Sequence, residues 1–190
     1  MRKGLIKNIK RLFAYLSLHN EKVTTILVFA LVYGFIFLNL DVSLVFTDTH
    51  LTGGDTGSHI YILEHLKELF PRIRWWSPDW FGGFPFLYFY PPLMYILTVL
   101  LSYIVPINIA FKLVIFSVIL AFPLSFYFSL KWLDVKFPIP QLGAVFSLFL
   151  IFLEKYSVYG GNLASLLSGE FSDTISIALL FMFVGLIYKG

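Results

Sequence analysis

Two aspartates and two histidines crowd into Thr47-Asp48-Thr49-His50-Leu51-Thr52-Gly53-Gly54-Asp55-Thr56-Gly57-Ser58-His59. Asp55 and His59 stand four residues apart, which on a helix turns both the same way. That spacing suits a carboxylate–imidazole pair holding a divalent cation, or a general base with an orienting partner. The plainer reading is that Asp55 caps the helix and His59 sits at the membrane interface. Asp48 is a second candidate acid, although acids near helix ends are ordinarily solvated. His50 and His65 have weaker cases.

Gly53-Gly54 breaks the preceding structure, and Asp55 or Thr56 then starts a helix that runs to Phe70 and stops at Pro71. Its spacing predicts an apolar side of Tyr61, Ile62, Leu66 and Leu69, with His59, Glu64, Lys67 and Glu68 facing polar surroundings. Such a helix lies along a bilayer surface and presents Asp55 and His59 at its start.

Beyond it, Arg72, Arg74, Trp75, Trp76 and Trp80 share one short segment that ends in Gly82-Gly83 and Pro91-Pro92. Tryptophans at headgroup level form an aromatic belt. Two arginines beside them could also grip a lipid phosphate or pyrophosphate bidentately, and generic headgroup contact competes evenly with a dedicated site. A second polar island spans Tyr159 to Asp173. Its glycines flank a short apolar turn and suggest a re-entrant or tightly packed segment, in which Glu170 would face a cavity. Asp173 reads as a first-turn charge on the last helix.

The elements that must position these residues follow from composition. Of 190 residues, 58% are hydrophobic and 13% charged, against about half and a quarter in soluble domains. The chain is therefore expected to be all-α, a polytopic transmembrane helical bundle. Residues 1–22 carry Arg2, Lys3, Lys7, Lys10, Arg11 and Lys22 and read as a cytoplasmic interfacial helix. Residues 23–190 form the transmembrane domain. Its first span runs from Val23 to Leu40, with Val42 to Phe46 able to extend it, and the positive flank places an extracytoplasmic loop at 47–90.

Further apolar runs at about 91–107, 109–130, 139–153 and 174–188 bring the expected total to about five spans. Five simple crossings would put Lys131 and Lys136 outside. A half-spanning segment within 91–140 would put them inside and the 154–173 connection outside, and that arrangement is preferred. Lys112 reads as a helix-end marker and Pro123 as a kink or interruption. The absence of cysteine excludes disulfides, thiolate zinc sites and a cysteine nucleophile. The net charge of +3 reads as topology information, with no nucleic-acid partner. The sequence stops directly after an apolar run, which points to one portion of a larger membrane protein with further segments or subunits.

Gly-Gly-Asp-Thr-Gly-Ser-His (53–59), Trp-Ser-Pro-Asp-Trp-Phe-Gly-Gly-Phe-Pro (76–85), Tyr-Pro-Pro-Leu (90–93) and Gly-Gly-Asn-Leu-Ala-Ser-Leu-Leu-Ser-Gly-Glu-Phe (160–171) follow a basic N-terminus and one span. This arrangement resembles the prokaryotic membrane proteins labelled 6-pyruvoyl-tetrahydropterin synthase-related. Those in turn resemble the C-type integral-membrane glycosyltransferases. No pterin chemistry follows, since the His-rich zinc site of a soluble pterin synthase is missing. The resemblance implies a GT-C-like fold and sugar transfer from a polyprenyl-phosphate donor outside the cytoplasm, with the membrane lipid and the lipid-linked sugar as partners.

An acid of the first external loop would then be the catalytic base or a metal-site residue, mapping to Asp55 with Asp48 second, and a Mg2+ or Mn2+ ion could position the acceptor. Arg72 or Arg74 would neutralise the leaving phosphate, while Trp75, Trp76 and Trp80 line the lipid and sugar path. Superfamily members usually have more spans and often a soluble C-terminal domain. Two other classes compete, a non-catalytic protein that binds or handles lipid-linked glycans and a structural membrane module. Convergence of Asp55 and Glu170 on one external cavity favours the enzyme, whereas opposite membrane faces would remove Glu170 from any shared site.

Overall fold

A computed structural model describes residues 2–72, 76–79, 81–155 and 157–190, with side chains from residue 20 onward. Helix α1 (Arg2–Asn39) runs unbroken from the basic stretch through the first apolar run, so the backbone marks no boundary at 22/23. The helix stops at Asn39. Asp41 accepts bonds from the Ser43 amide at 3.2 Å and the Ser43 hydroxyl at 2.6 Å, winding Val42–Phe46 into a separate 3-10 turn. The expected extension of the span to Phe46 fails because that carboxylate offers the backbone a competing partner.

Helix α2 (Thr56–Leu69) is followed by a two-stranded antiparallel ribbon, β1 (Trp76–Ser77) against β2 (Phe84–Pro85), with Trp76 opposite Pro85. Then come α3 (Leu93–Leu101), α4 (Ile107–Trp132), α5 (Ile139–Ile151), α6 (Leu163–Ser168) and α7 (Phe171–Lys189).

Among the described residues, three helical segments are long and apolar enough to cross a membrane: Asn20–Asn39, Ile107–Trp132 and Phe171–Lys189. The chain is thus mostly helical, with three candidate membrane-spanning helices among the described residues. The run expected to cross at 91–107 does not. Its helix α3 has nine residues, about 14 Å against a hydrocarbon core of about 30 Å. Pro91-Pro92 precede it, and the Ser102 amide folds back onto Thr98 and Val99 to close it before Pro106. Helix α5, at 13 residues, is about 20 Å long.

Contacts define the two ends of the bundle. At one end, Lys131 pairs with Glu21 at 3.4 Å, and Gln141 donates to the Thr25 hydroxyl at 2.7 Å. The final turns of α7 reach the same end, where Gly185 lies so close to Ser129 that an added Cβ would sit 2.9 Å from its Cα. Lys22, Lys136 and Lys189 therefore share this end with Lys131. At the other end, Lys112 holds the 44–49 segment, and residues 53–55 pack against residues 167–169. The loop after α1 and the loop after α5 thus meet on one side of the bundle.

The packed centre joins Val32 and Ile36 of α1, Val114, Val118, Ile119 and Phe122 of α4, Ile151 of α5, and Ile175 and Ala178 of α7. Leu31, Leu38, Phe146, Phe149, Phe183 and Ile187 point outward and are exposed, as a lipid-facing surface requires. Pro123 does not interrupt α4, which continues through it. The Tyr33 hydroxyl of α1 donates to the Leu120 carbonyl at 2.9 Å, in the turn that the proline loosens.

Candidate functional site

Gly53 and Gly54 adopt φ of 125° and 43°. A Cβ on Gly54 would fall 1.8 Å from the Ser168 carbonyl oxygen. The pair therefore does more than break a helix, because it lets two backbones touch. The Asp55 amide donates to Ser168 O at 3.1 Å. Gly169, at φ 106°, ends α6 and leaves room for Asp55, whose Cβ would lie 3.2 Å from a side chain placed there.

Glu170 is the next residue. It occupies the N-cap position of α7, and Asp173 lies in the first turn as expected. Burial first, then the neighbouring Asp173, then the Asp55 charge, raise the Glu170 pKa above its ordinary value. Tyr90 feels the same three acids: its pKa is raised by burial and then by Glu170, Asp173 and Asp55. Asp55, Glu170, Asp173 and Tyr90 therefore form one electrostatic group at one end of the bundle. Sequence placed Asp55 and Glu170 on separate islands, and the fold brings them together.

His59 differs from the expectation of a polar-facing residue. It is 2% exposed. Its ring lies among Tyr90, Tyr95 and Phe171 at centroid distances of 5.2, 5.9 and 5.0 Å. Nδ1 shares a 2.5 Å hydrogen bond with the Tyr95 hydroxyl, while Nε2 is buried without a hydrogen bond among the described residues. Burial lowers its pKa, opposed by the Gly169 backbone and the Asp55 charge. The packed face of α2 is Thr56, His59, Leu63 and Leu66. Of the predicted apolar stripe, Leu66 is buried and Ile62 and Leu69 pack against the core, while Tyr61 turns to a cavity that Ile62 also lines.

Asp55 is exposed and occupies the N-cap position of α2, yet its side chain makes no capping bond. The Asp55–His59 pair is thus a carboxylate in solvent beside an imidazole in an aromatic cage. Among the described residues, no three His, Asp or Glu side chains are arranged to hold a metal ion.

The remaining candidates separate. Asp48 accepts a 2.8 Å bond from the Asn108 amide, which fastens its loop to the start of α4. Arg72 is exposed beyond Pro71. Asp55 and Arg72 flank opposite ends of the 14-residue α2, about 20 Å apart along its axis. One phosphate cannot contact both. Trp76 is 56% exposed on β1, a position suited to a headgroup-level aromatic. Arg74, Trp75 and Trp80 lie outside the described residues.

Lys112 is more than an end marker, being 7% exposed on the second turn of α4. Its ammonium donates to Leu44 O at 3.1 Å, Thr47 O at 2.8 Å and Thr49 Oγ1 at 2.8 Å. It also lines a groove of about 430 Å³ together with Ile115, Phe116 and Ile119 of α4, Leu163, Leu166 and Leu167 of the α6 region, and His50 and Thr52. Thr56 and Phe171, the residues that follow Asp55 and Glu170, line the same groove. A lone lysine inside an apolar run was the available signal, and helix-end spacing concealed it.

A second cavity, of about 400 Å³, opens on the opposite side of α2 between Gly57, Ser58, Tyr61, Ile62, Asp79 and Phe84. Asp79 was not a sequence candidate. Its Oδ2 accepts a 2.5 Å bond from the Tyr61 hydroxyl and lies 3.8 Å from His65 Nδ1, and the Tyr61 and His65 rings stack at 10°. The Tyr61 hydroxyl, then Ser77 and the nearby His65, lower the Asp79 pKa, opposed by its slight burial.

Scans against family models, curated proteins and solved structures found no match to this chain.

Proposed function

We propose that this chain is a glycosyltransferase-like membrane protein, GT-C-like in fold, that transfers a sugar from a polyprenyl-phosphate donor on the extracytoplasmic side. The observation that carries the reading is the groove. It is apolar along α4 and α6, is lined by Lys112, and includes the two residues that follow Asp55 and Glu170. A lipid tail suits its walls, and the reactive sugar would then lie beside the acids. The end of the bundle holding Lys22, Lys131, Lys136 and Lys189 is assigned to the cytoplasm of the cell membrane, together with the N-terminus, by the positive-inside tendency.

In this reading Asp55 takes the proton of an acceptor hydroxyl as its oxygen bonds to the sugar C1. The bond from C1 to the phosphate oxygen breaks, and the electron pair leaves with the polyprenyl phosphate. Glu170, the residue before Phe171 of the groove, accepts a hydrogen bond from a hydroxyl of the donor sugar. The Lys112 charge, with the Thr49 hydroxyl that accepts from it, takes the anion-facing role that sequence gave to Arg72 and Arg74. Asp48 is left a structural role by its bond to Asn108.

The purely structural alternative predicts separated polar islands, and the Asp55–Ser168 contact counts against it. Extraction of the full chain from membranes, followed by mass spectrometry of co-purified lipids, tests the lipid assignment. Enrichment of polyprenyl phosphates that is lost in Ile119→Trp, which fills the groove, is the expected result. Recovery of bulk phospholipid alone, unchanged by the substitution, overturns it.

A further inference from the structure

We infer that the cavity between α2 and the β1–β2 ribbon binds a pyranose ring, so that the acceptor of transfer is itself a carbohydrate. Helix geometry supplies the first argument. At about 100° per residue, Thr56 and His59 turn toward the bundle and Gly57, Ser58 and Tyr61 turn away from it, while Ile62 stands at the boundary, packed against the core and lining the cavity. The lipid groove takes Thr56 and the second cavity takes Gly57 and Ser58, so the two spaces flank the start of one helix. Asp55, the exposed residue before Thr56, adjoins both linings along the chain. A base between two separate spaces is what a two-substrate transfer needs.

The lining gives the ligand class. Tyr61 and Phe84 bring aromatic surface, which packs against the apolar C–H faces of a sugar ring. Ser58 offers a hydroxyl, and the first-turn amide of Gly57 lies where helix N–H groups have no intrahelical acceptor. Facing these donors is Asp79, whose carboxylate accepts from the Tyr61 hydroxyl while its backbone amide donates to Ser77 Oγ, and whose side chain is still 51% exposed. Donors at one side, a carboxylate acceptor at the other and rings between them match the alternating hydroxyls of a pyranose. An ammonium ligand would satisfy Asp79, but the positive end of α2 opposes a cation beside Gly57. A phosphate would meet the Asp79 charge.

The cavity assignment rests on the proposed function only in calling the bound sugar an acceptor. Its test is saturation-transfer NMR on the full chain in nanodiscs, with methyl glucosides, mannosides and galactosides as probes at millimolar concentration. At least one glycoside is expected to receive saturation on its ring C–H protons. Asp79→Asn should weaken it about tenfold, the loss of one charge-assisted hydrogen bond. Tyr61→Leu should abolish it, and Tyr61→Phe, which keeps the ring, should retain it. The inference is overturned if no glycoside binds, or if binding is equal in wild type, Asp79→Asn and Tyr61→Leu. Binding without any transfer contradicts the proposed function and leaves the cavity assignment standing. Transfer with glycoside binding indifferent to Asp79 and Tyr61 does the reverse.

Discussion

The backbone amide of Asp55 donates to the carbonyl of Ser168 across 3.1 Å, joining residues 113 positions apart in the chain. That single bond places the first loop and the 157–170 connection on one face of the bundle. Glu170 and Asp173 come with it, and their charges act on each other and on Tyr90.

Because the chain has no cysteine, the contact is open to a clean crosslinking test. Asp55→Cys with Ser168→Cys should form a disulfide on mild oxidation in native membranes, visible as a mobility shift after cleavage between the two positions. Asp55→Cys with a cysteine at Lys136, at the far end of the bundle, should not.

Gly54→Ala should separate the two turns. Its backbone sits at φ 43°, and the new methyl would meet Ser168 O at 1.8 Å. A destabilisation of about 1–3 kcal/mol is expected from strain of this kind. Thermal unfolding in detergent measures it, and Gly57→Ala, where a Cβ meets nothing within 4 Å, is the control.

Burial lowers the His59 pKa, so unfolding lets this residue take up a proton more readily. The unfolded state binds more protons below its ordinary value of 6.5, so the stability contributed by neutral His59 is complete above that pH. It is lost as pH falls from there toward the depressed folded value. Melting temperature should drop across that window in the wild type. His59→Phe, which refills the aromatic cage but loses the Tyr95 bond, should flatten the drop.

Glu170 runs the other way. Its raised pKa means that its contribution is present below 4.5 and is lost as pH rises through the folded value. Glu170→Gln removes the repulsion from Asp173 and Asp55, so at neutral pH the variant should melt higher than wild type while transferring sugar more slowly. Equal melting curves above and below that window would remove the acids from one group.

The parts of this architecture that periodicity and composition can carry were legible in the sequence. Apolar runs at 23–40, 109–130 and 174–188 correspond to the three long helices, and Pro71 ends α2 as expected. The run at 91–107 misled because apolar content reports burial in lipid or protein alike, whereas Ser102 and Pro106 decided its length through local backbone bonds. At the candidate site, Asp55 and Glu170 were each visible as acids near glycines. Their approach was not, since residues 115 positions apart leave no local pattern. His59 was misplaced because a 3.6-residue period fixes the angles between residues but not which side is packed, and Tyr95, Tyr90 and Phe171 settled that. Lys112 and Asp79 acquire meaning only from the carbonyls and the tyrosine that the fold brings to them.

The central claim is that Asp55 removes the acceptor proton. It is tested most directly by following sugar transfer from a polyprenyl-phosphate hexose by the full chain in nanodiscs, comparing wild type with Asp55→Asn under conditions where both are shown to be folded. The account predicts measurable transfer by the wild type and a rate lower by about a hundredfold or more in the variant, the contribution of a general base. Equal rates in the two proteins would contradict it.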